Sequence, residues 1–124
     1  MAHNPSPAFF DAMTKRPDQP DLSEEIAIQV RPVLEKYKIT KAILFGSLAT
    51  RRQSRRSDVD LILIQNTDKS YFERFEGILT ALHKAVPKRD IEVFIYTPKE
   101  LTTMGHRKFI QRALQEGKVI YESR

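Results

Sequence analysis

Two aspartates one residue apart, Asp58 and Asp60, open an apolar run that continues Val59, Leu61, Ile62, Leu63, Ile64. A second apolar run, Ala42-Ile43-Leu44-Phe45, ends at Gly46-Ser47, and ten residues rich in arginine separate the two motifs. Side chains alternate along a strand, so Asp58 and Asp60 project to one side, about 6 to 7 Å apart along the chain. Hard divalent cations such as magnesium bind oxygen ligands, usually one or two carboxylates plus the phosphates of a substrate. Gly46 lets a phosphate approach the backbone closely, and Ser47 offers it a hydroxyl and an N–H. The expected chemistry is a turn that holds phosphates beside acids that hold their metal.

Arg51, Arg52, Arg55 and Arg56 lie between these motifs and contribute much of the net charge of +5. A basic cluster is most simply a solvated loop. Its position between a phosphate turn and a pair of acids gives phosphate or nucleic-acid contact equal weight, without deciding which arginine would make it.

A further strand is expected over Asp90–Tyr96, with Asp90 and Glu92 on one face and Ile91, Val93 and Ile95 on the other. The spacing Gly-Ser, ten residues, Asp-x-Asp at a strand start resembles the signature of the polymerase beta nucleotidyltransferase superfamily. Within it, the chain looks most like the minimal nucleotidyltransferases (MNT) that accompany HEPN-type toxins. The resemblance spans roughly residues 21 to 124, including an ending Glu116-Gly117-Lys118-Val119-Ile120-Tyr121 similar to the family's own. It implies a third carboxylate in a strand before a Tyr-Thr-Pro turn, and Glu92 occupies that position where the family usually has Asp. Asp90 is the rival, and reads better as a polar strand start.

The resemblance implies a two-metal magnesium site on Asp58, Asp60 and Glu92, with ATP as donor and its phosphates against Gly46 and Ser47. AMP would pass to an acceptor hydroxyl, by family likeness on a HEPN-type partner toxin, with an RNA end or a small molecule as other acceptors. Two other classes compete: an antitoxin that binds nucleotide but acts by contact alone, and a basic module that binds nucleic acid. No Gly-Lys-Ser phosphate loop of the P-loop NTPases is present.

The elements that must position these residues are legible from periodicity. Asp21 with Glu24 reads as a capping box for a first helix with the apolar stripe Leu22, Ile26, Val30, Val33, Leu34, Tyr37, which Pro32 is expected to kink or break. Ser70 with Glu73 is expected to start one long helix to Val86, carrying Phe72, Phe75, Leu79, Leu82 and Val86 inward. Thr97-Pro98-Lys99-Glu100 signals another helix start, Phe109–Leu114 a further helical set that Gly117 ends, and Lys118–Tyr121 a last strand. His83 lies off the apolar stripe and reads as a surface residue rather than a ligand, and His106 lacks a partner at metal spacing and receives no role.

The expected fold is α/β (α+β): a nucleotidyltransferase fold with a small mixed sheet flanked by helices in a single domain, residues 21–124. Residues 1–20, with Pro5, Pro7, Pro17, Pro20 and the Phe9-Phe10 pair, are expected to form a flexible arm. The first two strands could be antiparallel or joined by a crossover through a short helix near Leu48–Arg52. There is no cysteine, hence no disulfide framework or thiolate metal site, and no apolar stretch of membrane-spanning length. A cytoplasmic protein is expected. In 124 residues a separate acceptor domain is not expected, and acceptor choice is expected to come from a docked partner or from a second copy in a homo-oligomer.

Overall fold

The computed structural model describes residues 22–46, 58–105 and 107–123. The expected N-terminal arm, the Asp21 cap, Ser47, the four loop arginines, the short helix near Leu48–Arg52 and His106 lie outside them. In chain order come α1 (Leu22–Lys36), β1 (Ile39–Phe45), β2 (Val59–Gln65), a 3-10 turn (Phe72–Phe75), α2 (Ile78–Ala85), β3 (Ile91–Tyr96), α3 (Pro98–Met104), α4 (Lys108–Glu116) and β4 (Lys118–Glu122). The strands form one mixed sheet in the order β3-β2-β1-β4. β1 is antiparallel to both β2 and β4, and β2 is parallel to β3. The antiparallel alternative is therefore the one realised for the first two strands.

Both faces of this sheet are covered, which is why its central strands read as unbroken apolar runs. On one face Ile26, Val30 and Leu34 of α1 and Ile78 and Leu82 of α2 pack on Ala42, Leu44, Val59, Leu61, Leu63 and Ile95. On the other, Ala113 of α4 packs with Ile43 and Ile62, bordered by Phe45, Ile64, Phe94 and Tyr96. Leu44, Leu61 and Leu63 are wholly buried, and truncating such a residue to alanine costs about 2–5 kcal/mol.

Two local expectations are corrected. α1 runs unbroken through Pro32. The proline is exposed and Ile28, four residues earlier, is 74% exposed, so the carbonyl that loses its donor lies on the solvent side, where water can replace it. The long helix expected from Ser70 to Val86 is instead a 3-10 turn and a shorter α2, divided at Gly77. Gly77 has φ +81°, and a Cβ there would stand 2.6 Å from Tyr37 Oη, so close packing against the end of α1 dictates the break. After this division Ile78 and Leu82 turn inward, while Phe72 is left 84% exposed. Ser70 Oγ donates to Glu73 Oε1 at 2.5 Å, but no side chain caps the turn.

The start of α3 is the expected capping box, with Thr97 and Glu100 bonded reciprocally. Glu100 does more than cap. It also receives Arg74, whose Nη1 lies 2.6 Å from Oε1 and whose Nη2 lies 3.1 Å from Oε2. Arg74 is nearly buried, and donates in addition to the carbonyls of Lys69 (3.0 Å) and Ile95 (3.1 Å). One guanidinium thus ties the β2–β3 crossover to the end of β3 and to α3. Gly117 ends α4 with φ −71°, and its lack of a side chain serves proximity: a Cβ would collide with the Ala113 carbonyl and stand 2.5 Å from Ile43 Cγ2.

Candidate active site

The mixed topology brings three chain segments to one rim of the sheet. β1 ends there at Phe45 and Gly46, and the parallel pair β2 and β3 both begin there. The Val59 N–H donates to the Asp90 carbonyl at 2.8 Å, pinning the two strand starts together. In the ladders Asp60 stands opposite Phe45 on one side and Glu92 on the other. Asp60 and Glu92 are therefore neighbours on one face of adjacent strands, and Asp58 precedes β2, exposed to solvent. Asp90 lies just before β3, also exposed.

Gly46 sits over this pair in a left-handed conformation, φ +76°, and a Cβ would lie 2.5 Å from Asp60 Oδ2. The glycine is thus required twice, by its backbone angle and by the carboxylate beneath it. The Asp60 carboxyl is raised from 3.8 to about 6, first by burial, then by the charges of Glu92 and Asp58, and by a hydrogen bond shared with Glu92. These are the marks of one half-buried carboxylate beside two exposed acids, whose charges add to burial in disfavouring its ionised form.

Among the described residues no group of three His, Cys, Asp or Glu side chains stands close enough to form a ready-made metal cage. What the structure brings together is the pair Asp60–Glu92, with Asp58 near enough to couple by charge. The donor set is all oxygen and all acidic, as a hard divalent cation requires, and such an ion would take the place of the shared proton and keep both acids charged. The residues fit magnesium on chemical grounds.

The same face carries a feature that the sequence reading did not single out. Phe94 and Tyr96 alternate with Glu92 along β3, so they continue its face. Phe94 lies 6.3 Å from Phe45 and 5.4 Å from Phe109, and Phe109 meets Phe45 edge-on at 5.7 Å. Tyr96 stacks on Phe94 at 6.2 Å and approaches Tyr71 at 5.8 Å. An aromatic wall therefore borders the carboxylates. The step of two residues from Glu92 to Phe94 to Tyr96 was the available signal, whereas the approach of Phe109 depends on how α4 crosses the sheet.

Residues 29–124 match the family described as Polymerase beta, Nucleotidyltransferase. The chain belongs to this family. It is a nucleotidyltransferase domain, as the Gly-Ser and Asp-x-Asp motifs led one to expect. Among solved structures, the domain is similar to a toxin–antitoxin crystallised with AMP-PNP (TM-score 0.57, 19% identity, covering 79% of this chain and 74% of that one). It is similar as well to an MntA-HpeT toxin–antitoxin mutant with two Asp-to-Glu substitutions (TM-score 0.55, 17% identity, 79% and 74%). A structure named as a nucleotidyltransferase from Sulfolobus solfataricus matches over 86% of this chain and 93% of its own (TM-score 0.52, 9% identity). At these identities the likeness establishes the fold, in agreement with the resemblance to minimal nucleotidyltransferases. No curated protein matches the sequence significantly. Among the described residues, no helix is long and apolar enough to cross a membrane.

Proposed function

We propose that this domain transfers AMP from ATP to an acceptor hydroxyl, using magnesium held by Asp58, Asp60 and Glu92, and that the acceptor belongs to a HEPN-type partner toxin. The observation that carries the reading is the convergence of acidic charge on Asp60 directly beneath Gly46, at the rim where β1 ends and the parallel strands begin. A phosphate chain laid on Gly46 meets these acids at once.

Magnesium, when bound, would neutralise the phosphate oxygens and the acids together. The acceptor oxygen forms a bond to the α-phosphorus, the bond from that phosphorus to the bridging oxygen of the leaving group breaks, and pyrophosphate departs. The hydroxyl proton passes to Glu92. Its side chain is one methylene longer than the aspartate usual in the family, and its ladder position beside Asp60 supports the same task. The nucleotide analogue and the toxin–antitoxin setting named for the similar structures support the choice of ATP and of a toxin as acceptor.

The test is incubation with ATP labelled on the α-phosphate, magnesium and a lysate of the host, beside a protein carrying Asp58→Asn and Asp60→Asn. Label on one macromolecule with the parent protein and none with the double variant is the expected result. Label transferred equally by the double variant would overturn the assignment. Binding of magnesium–ATP without any transfer would instead support a regulator that acts by contact, a reading that the Glu in place of Asp at position 92 leaves room for.

A further inference from the structure

The aromatic wall beside the carboxylates contains one ring that the core does not account for. α4 is anchored by Ile110 and Ala113, both buried, yet Phe109 is 49% exposed although it contacts both Phe45 and Phe94. Its place relative to the acids follows from the ladders. Phe45 is the partner of Asp60 in β1, and Phe94 lies two residues beyond Glu92 in β3. Directly opposed residues of an antiparallel pair have Cα atoms about 4.5–5.5 Å apart, and a step of two along a strand advances roughly 6 to 7 Å. A ring in contact with both Phe45 and Phe94 therefore borders the Asp60–Glu92 pair on the same face of the sheet. These two ring contacts hold Phe109 in place, and about half of its surface remains exposed.

We propose that Phe109, held by Phe45 and Phe94, is the platform on which the nucleobase of the donor nucleotide stacks. This rests on the reading that the donor's phosphates lie at Gly46 and the carboxylates. With the phosphates there, the base must leave the metal site across one ribose, and among the described residues the half-exposed Phe109 ring borders the acids through Phe45 and Phe94, whereas the more exposed Phe72 lies beyond Tyr71 and Tyr96. Stacking on phenylalanine presents no hydrogen-bonding pattern to the base edge. Phe109 therefore supplies affinity for an aromatic base and little discrimination between adenine and guanine, so base choice would not reside in this contact.

The test is calorimetric titration of the purified protein with magnesium–ATP, magnesium–GTP and magnesium tripolyphosphate, a probe that has the phosphates and no base. Parent, Phe109→Ala and Phe109→Tyr proteins are compared after thermal melting has verified their folds. Loss of one base–aromatic stack corresponds to a weakening of roughly 5- to 150-fold. Phe109→Ala is expected to weaken both nucleoside triphosphates within that range, leave tripolyphosphate unchanged and be rescued by Phe109→Tyr. Equal affinity of the parent for ATP and tripolyphosphate would overturn the platform while leaving the phosphate site standing. Loss of neither probe in Phe109→Ala would also overturn it, most informatively if label transfer fell, since the ring would then serve the acceptor. A parent that binds neither probe would overturn both the platform and the donor reading beneath it.

Discussion

Replacing Asp60 by asparagine should make the metal-free domain more stable while it abolishes transfer. The Asp60 carboxyl is raised from 3.8 to about 6, with burial the largest cause, followed by Glu92 and Asp58. The folded chain thus holds this proton more tightly than the unfolded chain does. The corresponding stability is fully present below pH 3.8 and is lost as the pH rises through about 6. A tenfold change in proton affinity is worth about 1.4 kcal/mol, so the whole displacement corresponds to about 3 kcal/mol. Asp60 is only half-buried, and screening by solvent brings the working figure to about 1–2 kcal/mol. Asparagine keeps the shape beneath Gly46 and cannot ionise. In a thermal melt with a chelator at about pH 8, Asp60→Asn should therefore unfold several degrees above the parent, since about 1 kcal/mol moves Tm by about 4 °C in a chain of this length. At about pH 5 the difference should shrink, because the parent then carries the proton itself. Magnesium should raise the parent and not the variant. An Asp60→Asn protein that melts below the parent at about pH 8, or by a margin indifferent to pH, would refute the claim that the crowded acids are a stability cost of the site. With magnesium present the cation competes with the Asp60 proton, so transfer by the parent should decline only below the metal-free value of about 6, and at lower pH as magnesium is raised.

Gly46→Ala combines a left-handed backbone, φ +76°, with a Cβ 2.5 Å from Asp60 Oδ2; the backbone alone costs about 1–2 kcal/mol. Urea denaturation should show that loss, and label transfer should fall further than the stability explains because the carboxylate is displaced. Arg74→Met removes the cation that satisfies Glu100 and the Lys69 and Ile95 carbonyls. Because Glu100 is partly solvated, the expected loss is about 2–3 kcal/mol, below the range for a fully buried pair, with transfer per folded molecule unchanged. Gly117→Ala drives a methyl against the Ala113 carbonyl and Ile43 Cγ2, and should cost about 1–3 kcal/mol by overpacking, measured as a lower urea midpoint.

Sequence periodicity identified the elements and much less of their junctions. Ile26, Val30 and Leu34 announce α1 because a three-and-four spacing has no other use, and Thr97 with Glu100 announces α3 because both halves of the box are local. The division at Gly77 was hidden: Phe72, Phe75, Leu79 and Leu82 keep helical spacing across it. Only Tyr37, forty residues earlier and packed on the glycine, shows why the helix must break. Arg74 was hidden for the same reason. It looks like one more solvated cation until the chain brings Glu100 to it from 26 residues away. Gly46, Asp58 and Asp60 stood out as candidates because a glycine turn and alternating acids are local patterns, and Glu92 stood out through alternation and resemblance. The half-burial that crowds Asp60 is tertiary, and so is the wall that Phe109 completes.

The pairing of Asp60 with Glu92 depends on the direction of one strand. β2 and β3 are parallel, so their N-terminal ends coincide and acids placed at the start of each meet in register. Had the chain returned by a hairpin, Glu92 would face the far end of β2, about four residues beyond Asp60 and roughly 13 Å along the strand. A parallel return requires a crossover, here the 3-10 turn and α2, and Arg74 fastens that crossover to the end of β3. β1, antiparallel to β2, delivers its C-terminal glycine to the same rim. The site thus consists of strand ends, where side chains can reach solvent and substrate, above strand centres that are buried on both faces. This arrangement lets the core beneath sustain like charges that would not settle beside one another in a flexible loop, and leaves a bound cation as the natural relief for their repulsion.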